Sequence, residues 1–160
     1  MHTENTIYIR GSKSRIFQVA ADIQNWPQIL PHYSEVLVFE QTDNGRRKVV
    51  EMAARRADFP LPGMQFPVRW RSVQICEPEN NRIYFKHLAG IALGMWVVWS
   101  LEDDPWGRGV AVTIAHELTY PAAFLNGWFA RELVGEQFVQ AIAGRTLATI
   151  KAIVEKEANL

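Results

Sequence analysis

His116 belongs to the alternating run Val112, Ile114, His116, Leu118. A strand through these residues puts an imidazole on an apolar face. An imidazole titrates near neutral pH, so it can donate a hydrogen bond there or take a proton as a general base. The same position also suits a core histidine satisfied by one hydrogen bond, and the spacing leaves both readings open. Ser72 and Gln74 alternate with Trp70. If Trp70 faces inward, both polar side chains follow it, and Arg69 and Arg71 turn to solvent. Tyr33 supplies a phenolic hydroxyl expected near the mouth of any interior space. Thr146 lies on an apolar helical stripe, where it either bonds back to a carbonyl one turn earlier or faces inward. Tyr33, Gln74 and His116 are therefore the candidate catalytic residues. A hydroxyl, an amide and an imidazole among apolar neighbours would orient a ligand and polarise its carbonyls with water excluded.

Other chemistries lack their parts. His32, His87, His116 and Cys76 do not have the close spacing of a metal site, so no metal or other cofactor is expected. There is no glycine-rich phosphate loop and no GxSxG elbow. Cys76 is the only cysteine, which rules out an intrachain disulfide and fits a reducing cytoplasm. It has no neighbour in sequence that would activate it, so it reads as buried and inert. Seventeen basic and 17 acidic side chains cancel, so no net field recommends nucleic acid or anionic lipid as a partner. No run of about 18 apolar residues is long enough to span a membrane, and Met1-His2-Thr3-Glu4-Asn5 does not read as a secretory leader. No feature of the sequence sets an oligomeric state.

The elements that must position these residues can be read from periodicity. At 160 residues, with 48% apolar composition, residues 1–160 are expected to form one domain with a substantial core. Thr6–Arg10 alternates as a strand. Ser12 can cap a helix carrying Ile16, Phe17, Val19 and Ala20. Asn25-Trp26-Pro27 opens a second short helix, which Pro31 stops. Strands are then expected at 35–41, 47–56, 66–76, 82–88, 95–101 and 109–120. They are joined by turn signals at Asp43-Asn44-Gly45, Glu79-Asn80-Asn81 and Asp103–Gly107, and by a wide loop at 59–63. After Pro121 the period changes. Gly135, Phe138, Val139, Ile142, Ala143, Thr146, Ile150, Ile153 and Val154 form one helical stripe, with Gln140, Lys151 and Glu155 opposite. The expected fold is α+β: a curved antiparallel sheet gripping a long C-terminal helix, with two short helices after the first strand.

That order, with Asp22-Ile23-Gln24-Asn25-Trp26-Pro27 and Tyr33, then Trp70-Arg71-Ser72, Gly90 through Met95 to Trp99, and His116-Glu117-Leu118, resembles the START-like helix-grip (SRPBCC) superfamily. Ile150–Glu155 fits as well, and the likeness spans nearly the whole chain. Within the superfamily it is most similar to the polyketide aromatase/cyclase branch, although coenzyme Q-binding proteins and lipid carriers share the topology. The resemblance implies a cavity that holds a poly-β-ketone and guides intramolecular aldol closure and loss of water. It also implies a polar cavity residue at His116. The branch's carbonyl-polarising arginine, counted from Trp70, falls on Gln74, which donates a hydrogen bond but brings no charge.

The expectation is an internal cavity that binds a hydrophobic small molecule, in the manner of a polyketide cyclase/dehydrase. Trp70, Met95 and Trp99 would shape it, with Trp26, Ser72, Val97 and Ile114 as further ligand contacts from the sheet side. Gly135, Phe138, Ile142 and Thr146 would line it from the helix. Gly135 would leave room for a ligand or mark a kink. Core packing alone also accounts for Met95, Val97 and Trp99. The rival reading is a non-catalytic lipid or quinone carrier, which the missing arginine favours. A third reading, a partner-binding surface at Trp96 and Trp128, requires a filled interior. Expected partners are the hydrophobic ligand and, as a candidate, an acyl carrier protein, with no nucleic acid and no integral membrane contact.

Overall fold

The computed structural model describes residues 1–57, 61–90, 92–119 and 135–159. The chain runs β1 (His2–Ile9), α1 (Lys13–Ala21), a 3-10 turn (Ile23–Asn25), α2 (Trp26–Ile29), β2 (Tyr33–Thr42), β3 (Arg47–Ala57), β4 (Gln65–Glu77), β5 (Arg82–Gly90), β6 (Trp96–Asp103), β7 (Val110–Glu117) and α3 (Glu136–Ala158). The seven strands form one antiparallel sheet in the order β1-β7-β6-β5-β4-β3-β2. Every neighbour except β1–β7 is a sequential hairpin, as the turn signals require. Asp43 and Asn44, at φ 52°, and Gly45, at φ 84°, make the β2–β3 turn. This is the left-handed region that Asn, Asp and Gly tolerate best.

α1 starts where its cap predicts, with the Ser12 hydroxyl accepting from the Arg15 backbone N–H at 3.2 Å. It buries Ile16, Phe17, Val19 and Ala20. Pro27 occupies the first turn of α2, where its missing N–H costs nothing. Gly90 ends β5 at φ +86°, and a Cβ there would collide with the Arg69 carbonyl of β4. Beside it the β4–β5 register slips between Arg71 and Ser72, so the sheet bends there.

α3 lies across the sheet with Val139, Ala143, Thr146, Leu147, Ile150 and Val154 buried. One expectation needs correction. Gly135 is not inside the helix. It is the N-cap residue in extended conformation, φ −66° and ψ 158°, so the apolar spacing continues one residue beyond the helical backbone. Lys151 and Glu155 tie the helix to the first strand. Lys151 Nζ donates to the Tyr8 carbonyl at 2.8 Å, and Glu155 Oε1 accepts from the Arg10 N–H at 2.9 Å. β1 is an edge strand, and these side chains take up open backbone groups at its end and just beyond it. β1 also begins earlier than expected, at His2, and the Met1 amine donates to the Leu118 carbonyl at 2.7 Å. The residues 59 and 60 of the expected loop, and Trp128, lie outside the described residues.

Candidate functional site

A hollow remains between the sheet and α3, in the position the sequence reading requires. Its walls come from β2 (Tyr33), β3 (Met52), β4 (Val68, Trp70), β5 (Phe85, His87), β6 (Val97, Trp99) and β7 (Ile114, His116). Trp26 from α2, with Ala92 and Met95 from the β5–β6 connection, closes it, and Phe138, Val139, Ile142, Ala143 and Thr146 cover it from α3. The cavity is small, about 80 Å³. That is room for several waters and well below the hundreds of Å³ that hold a drug-sized ligand. Sixteen of its lining residues are buried, and only Phe138 and Ile142 are half-buried. These two side chains therefore mark the mouth. The Arg56 guanidinium stands 5.0 Å from the centre of the Phe138 ring on the outer side.

Aromatic rings give the floor its shape. Trp26 is the hub, with ring centres 4.9 Å from Tyr33 and 6.0 Å from both Phe85 and Trp99. Tyr33 continues to Trp70 at 6.1 Å, and Trp70 stacks on His87 at 6.0 Å. These are the tilted and stacked separations that aromatic pairs prefer. They hold the wall rigid, because moving one ring disturbs the next.

Polar atoms interrupt this wall at few points. His116 Nδ1 lies 3.2 Å from the Thr3 hydroxyl, its partner across the β1–β7 register. Burial pushes the His116 pKa down to about 4, so the ring is neutral at pH 7. His87 sits on the same wall. Burial, and after it the charge His116 would carry, push its pKa down to about 3, although a hydrogen bond with the Ala92 backbone opposes this. His87 Nδ1, Trp26 Nε1 and Trp70 Nε1 are buried without hydrogen-bond partners. Buried polar atoms are rarely left in this state, since each costs about 1–3 kcal/mol. Burial also pushes the Tyr33 phenol up, and contact with the Thr146 hydroxyl opposes the shift. Thr146 does both things the sequence allowed: it donates to the Ile142 carbonyl one turn earlier at 2.9 Å, and it lines the cavity.

The structure places Tyr33, His116, Trp26, Trp70, Met95, Val97, Trp99, Ile114, Phe138, Ile142 and Thr146 together on the wall. Ser72, Gln74 and Gly135 are not brought to it. Ser72 and Gln74 do face inward, both fully buried, but they lie further along β4. Gln74 Nε2 donates to the Ala21 carbonyl at the end of α1 at 3.1 Å. The end of the short helix α1 therefore lies against Gln74, and the amide is not among the groups on the cavity wall. Gly135 borders an outer cleft with Arg56 and Phe138. Cys76 is buried and its thiol is pushed up by desolvation, in keeping with an inert role. Among the described residues, no group of three or more His, Cys, Asp or Glu could hold a metal, and no helix is long and apolar enough to cross a membrane.

Sequence reasoning missed two polar residues. His87 alternates with Ile83 and Phe85, both buried, and that alternation is the signal that could have found it. His32 precedes β2 in a turn, where no periodicity applies. Its Nε2 lies 2.8 Å from the Thr146 hydroxyl. The third reading calls for a filled interior, whereas a hollow of about 80 Å³ remains, and one of its two tryptophans, Trp128, lies outside the described residues. Trp96 is half-exposed, with Lys86 Nζ 4.5 Å from its ring centre.

Residues 9–144 match the family described as polyketide cyclase / dehydrase and lipid transport. No curated protein matches the sequence. Among solved structures, the Zhui aromatase/cyclase from a Streptomyces species superposes with a TM-score of 0.80 at 18% identity, over 99% of this chain and 95% of that one. The di-domain aromatase/cyclase StfQ of the steffimycin biosynthetic pathway superposes with a TM-score of 0.78 at 19% identity, over 99% of this chain and 52% of that one. A START superfamily protein from Mycobacterium smegmatis gives 0.63 at 15% identity, over 97% of both chains. At these identities the likeness establishes the START-like fold.

Proposed function

The chain belongs to the polyketide cyclase / dehydrase and lipid transport family, and from that premise we propose that it encloses an oxygenated, largely apolar small molecule and promotes its aldol cyclisation and dehydration. The observation that carries this reading is the set of polar atoms on an otherwise apolar wall: two neutral imidazoles, and two indole N–H groups without partners. A hydrocarbon chain would leave the indole donors unpaired, whereas a ligand with carbonyl oxygens within reach would satisfy them.

His116 is the proposed general base. With Nδ1 engaged by Thr3, its uncommitted nitrogen is Nε2. Nε2 would take a proton from the methylene between two carbonyls, and the resulting enolate carbon would attack a second carbonyl of the same chain. The new alkoxide would recover the proton, and loss of water would follow. Trp26 and Trp70 would stabilise the carbonyl oxygens, Tyr33 would supply a further polar contact, and the aromatic wall would hold the chain folded. Because the closed cavity is small, admission of such a chain requires Phe138 and Ile142 to swing outward.

One observation favours a carrier instead. No arginine lines the cavity among the described residues, and Gln74 is committed to Ala21. Incubation with a short synthetic poly-β-ketone thioester separates the two readings. A cyclase converts it to a product lighter by water, and His116→Ala lowers conversion at least tenfold while binding is retained. Binding without conversion assigns a carrier. Neither binding nor conversion removes the proposal.

A further inference from the structure

A second concave surface lies outside the cavity, and no residue lines both. It is a cleft of about 770 Å³ where α1 and α2 meet the turn between β4 and β5 and the C-terminal end of α3. β3 contributes Lys48 to it. Lys48 falls in the alternation that buries Val50 and Met52, so its stem runs inward from the sheet, and only 9% of the residue is exposed. A lysine buried to that degree is normally paired. Here the ammonium has no ion-pair or hydrogen-bond partner among the described residues. Its register partner Gln74 has turned its amide N–H to the Ala21 carbonyl. The thiol of Cys76, which senses the Lys48 charge, is pushed up by desolvation and offers no negative charge in return. The cleft's other cation, Arg15, is held by both oxygens of Glu157 at 2.7 and 2.8 Å. Arg15 therefore has its counter-ion, and Lys48 does not.

We propose that this cleft is a second binding site, for a small organic monocarboxylate, with Lys48 as the counter-ion of the carboxylate. One ammonium matches one negative charge. Asp22, exposed on the rim of the same cleft, would repel a second one, which sets a phosphate dianion at a disadvantage. Gln18, Asn25 and Asn81 bring side-chain amides to the cleft, and these can donate to the remaining lone pairs of a carboxylate. Ile29 and Ile153 line it as well, half-buried, and give apolar contact to the body of the ligand. The site stands apart from the cavity and does not rest on the function read there.

An NMR titration of the full chain at pH 7 tests this, with sodium benzoate as the probe and benzyl alcohol as its uncharged match. Benzoate should shift the side-chain amide signals of Gln18, Asn25 and Asn81 to saturation and leave Val97 and Ile114, on the cavity wall, unmoved. A charge-assisted hydrogen bond predicts that benzyl alcohol binds about tenfold or more weakly. Lys48→Met keeps an apolar stem and removes the charge, and it should weaken benzoate by a similar factor. The same spectra report whether the variant is folded; if it is not, the comparison of the two probes on wild type decides alone. Inorganic phosphate should bind more weakly than benzoate. Equal affinity for benzyl alcohol, equal affinity in folded Lys48→Met, tighter binding of phosphate, or benzoate shifts confined to the cavity wall overturns the proposal. So does the lack of any saturable shift, which would leave Lys48 satisfied by solvent alone.

Discussion

Lowering the pH from 7 to 5 perturbs this protein through its buried imidazoles. In the folded state the His87 and His116 pKa values lie at about 3 and about 4, against about 6.5 for an unfolded histidine. Between pH 6.5 and 4 the unfolded chain therefore binds protons that the folded chain refuses, and stability falls as the pH drops. At pH 5 each unfolded imidazole is almost fully protonated while its folded counterpart is not, so each group costs about 2 kcal/mol relative to pH 7. Together they cost about 4 kcal/mol, because the repulsion between them does not enter while both stay neutral. With a urea slope of about 2 kcal/mol per molar, these two groups should move the midpoint down by about 2 M, and His32 somewhat further. The carboxylates Glu51, Asp104 and Glu157 are all held low by arginine partners, whereas the half-buried His32, its pKa also lowered to about 4, adds a smaller cost of the same sign. The assay is urea unfolding at pH 7 and pH 5, followed by tryptophan fluorescence, for wild type and for the His87→Phe/His116→Leu double variant. The double variant should lose most of the pH dependence. Equal midpoints at both pH values in wild type, or an undiminished shift in the double variant, would refute the neutral-imidazole argument and with it the proposed base.

Ala143 is 2% exposed and lines the cavity from α3. Ala143→Leu should fill much of the hollow and lower binding of 2-naphthol at least tenfold by calorimetry, while the thermal midpoint holds or rises. Ile150 is fully buried on the same helix, away from the cavity wall. Ile150→Ala should cost about 2–5 kcal/mol in urea unfolding, by lost burial and the void left behind, with 2-naphthol binding unchanged. Arg69→Ala removes exposed ion pairs to Glu35 and Glu51 and should cost less than about 1 kcal/mol in the same assay.

The sheet was legible because its strands alternate. Trp70, Ser72 and Gln74 point inward and Arg69 and Arg71 outward, as a period of two dictates. The long helix was legible from Val139, Ala143, Thr146, Ile150 and Val154, which are buried on one stripe. What alternation cannot tell is what covers an inward residue. Gln74 and Trp70 share a face, yet one meets α1 and the other meets open space, and that difference arises from packing between elements distant in sequence. Gly135 was misplaced for a related reason: apolar spacing begins one residue before the first helical residue, since a cap can border a pocket as readily as a turn of helix. His32 could not be found by periodicity because it lies in a turn. Its partner Thr146 is 114 residues away, and only the fold brings them together.

Native mass spectrometry of the purified protein tests the central claim, that the space between sheet and helix receives an oxygenated apolar guest. The account predicts a one-to-one complex with 2-naphthol, or with a molecule retained through purification whose exact mass includes oxygen, and it predicts that Ala143→Leu abolishes the complex. A bare-chain mass for both proteins, even with 2-naphthol at saturating concentration, would contradict it.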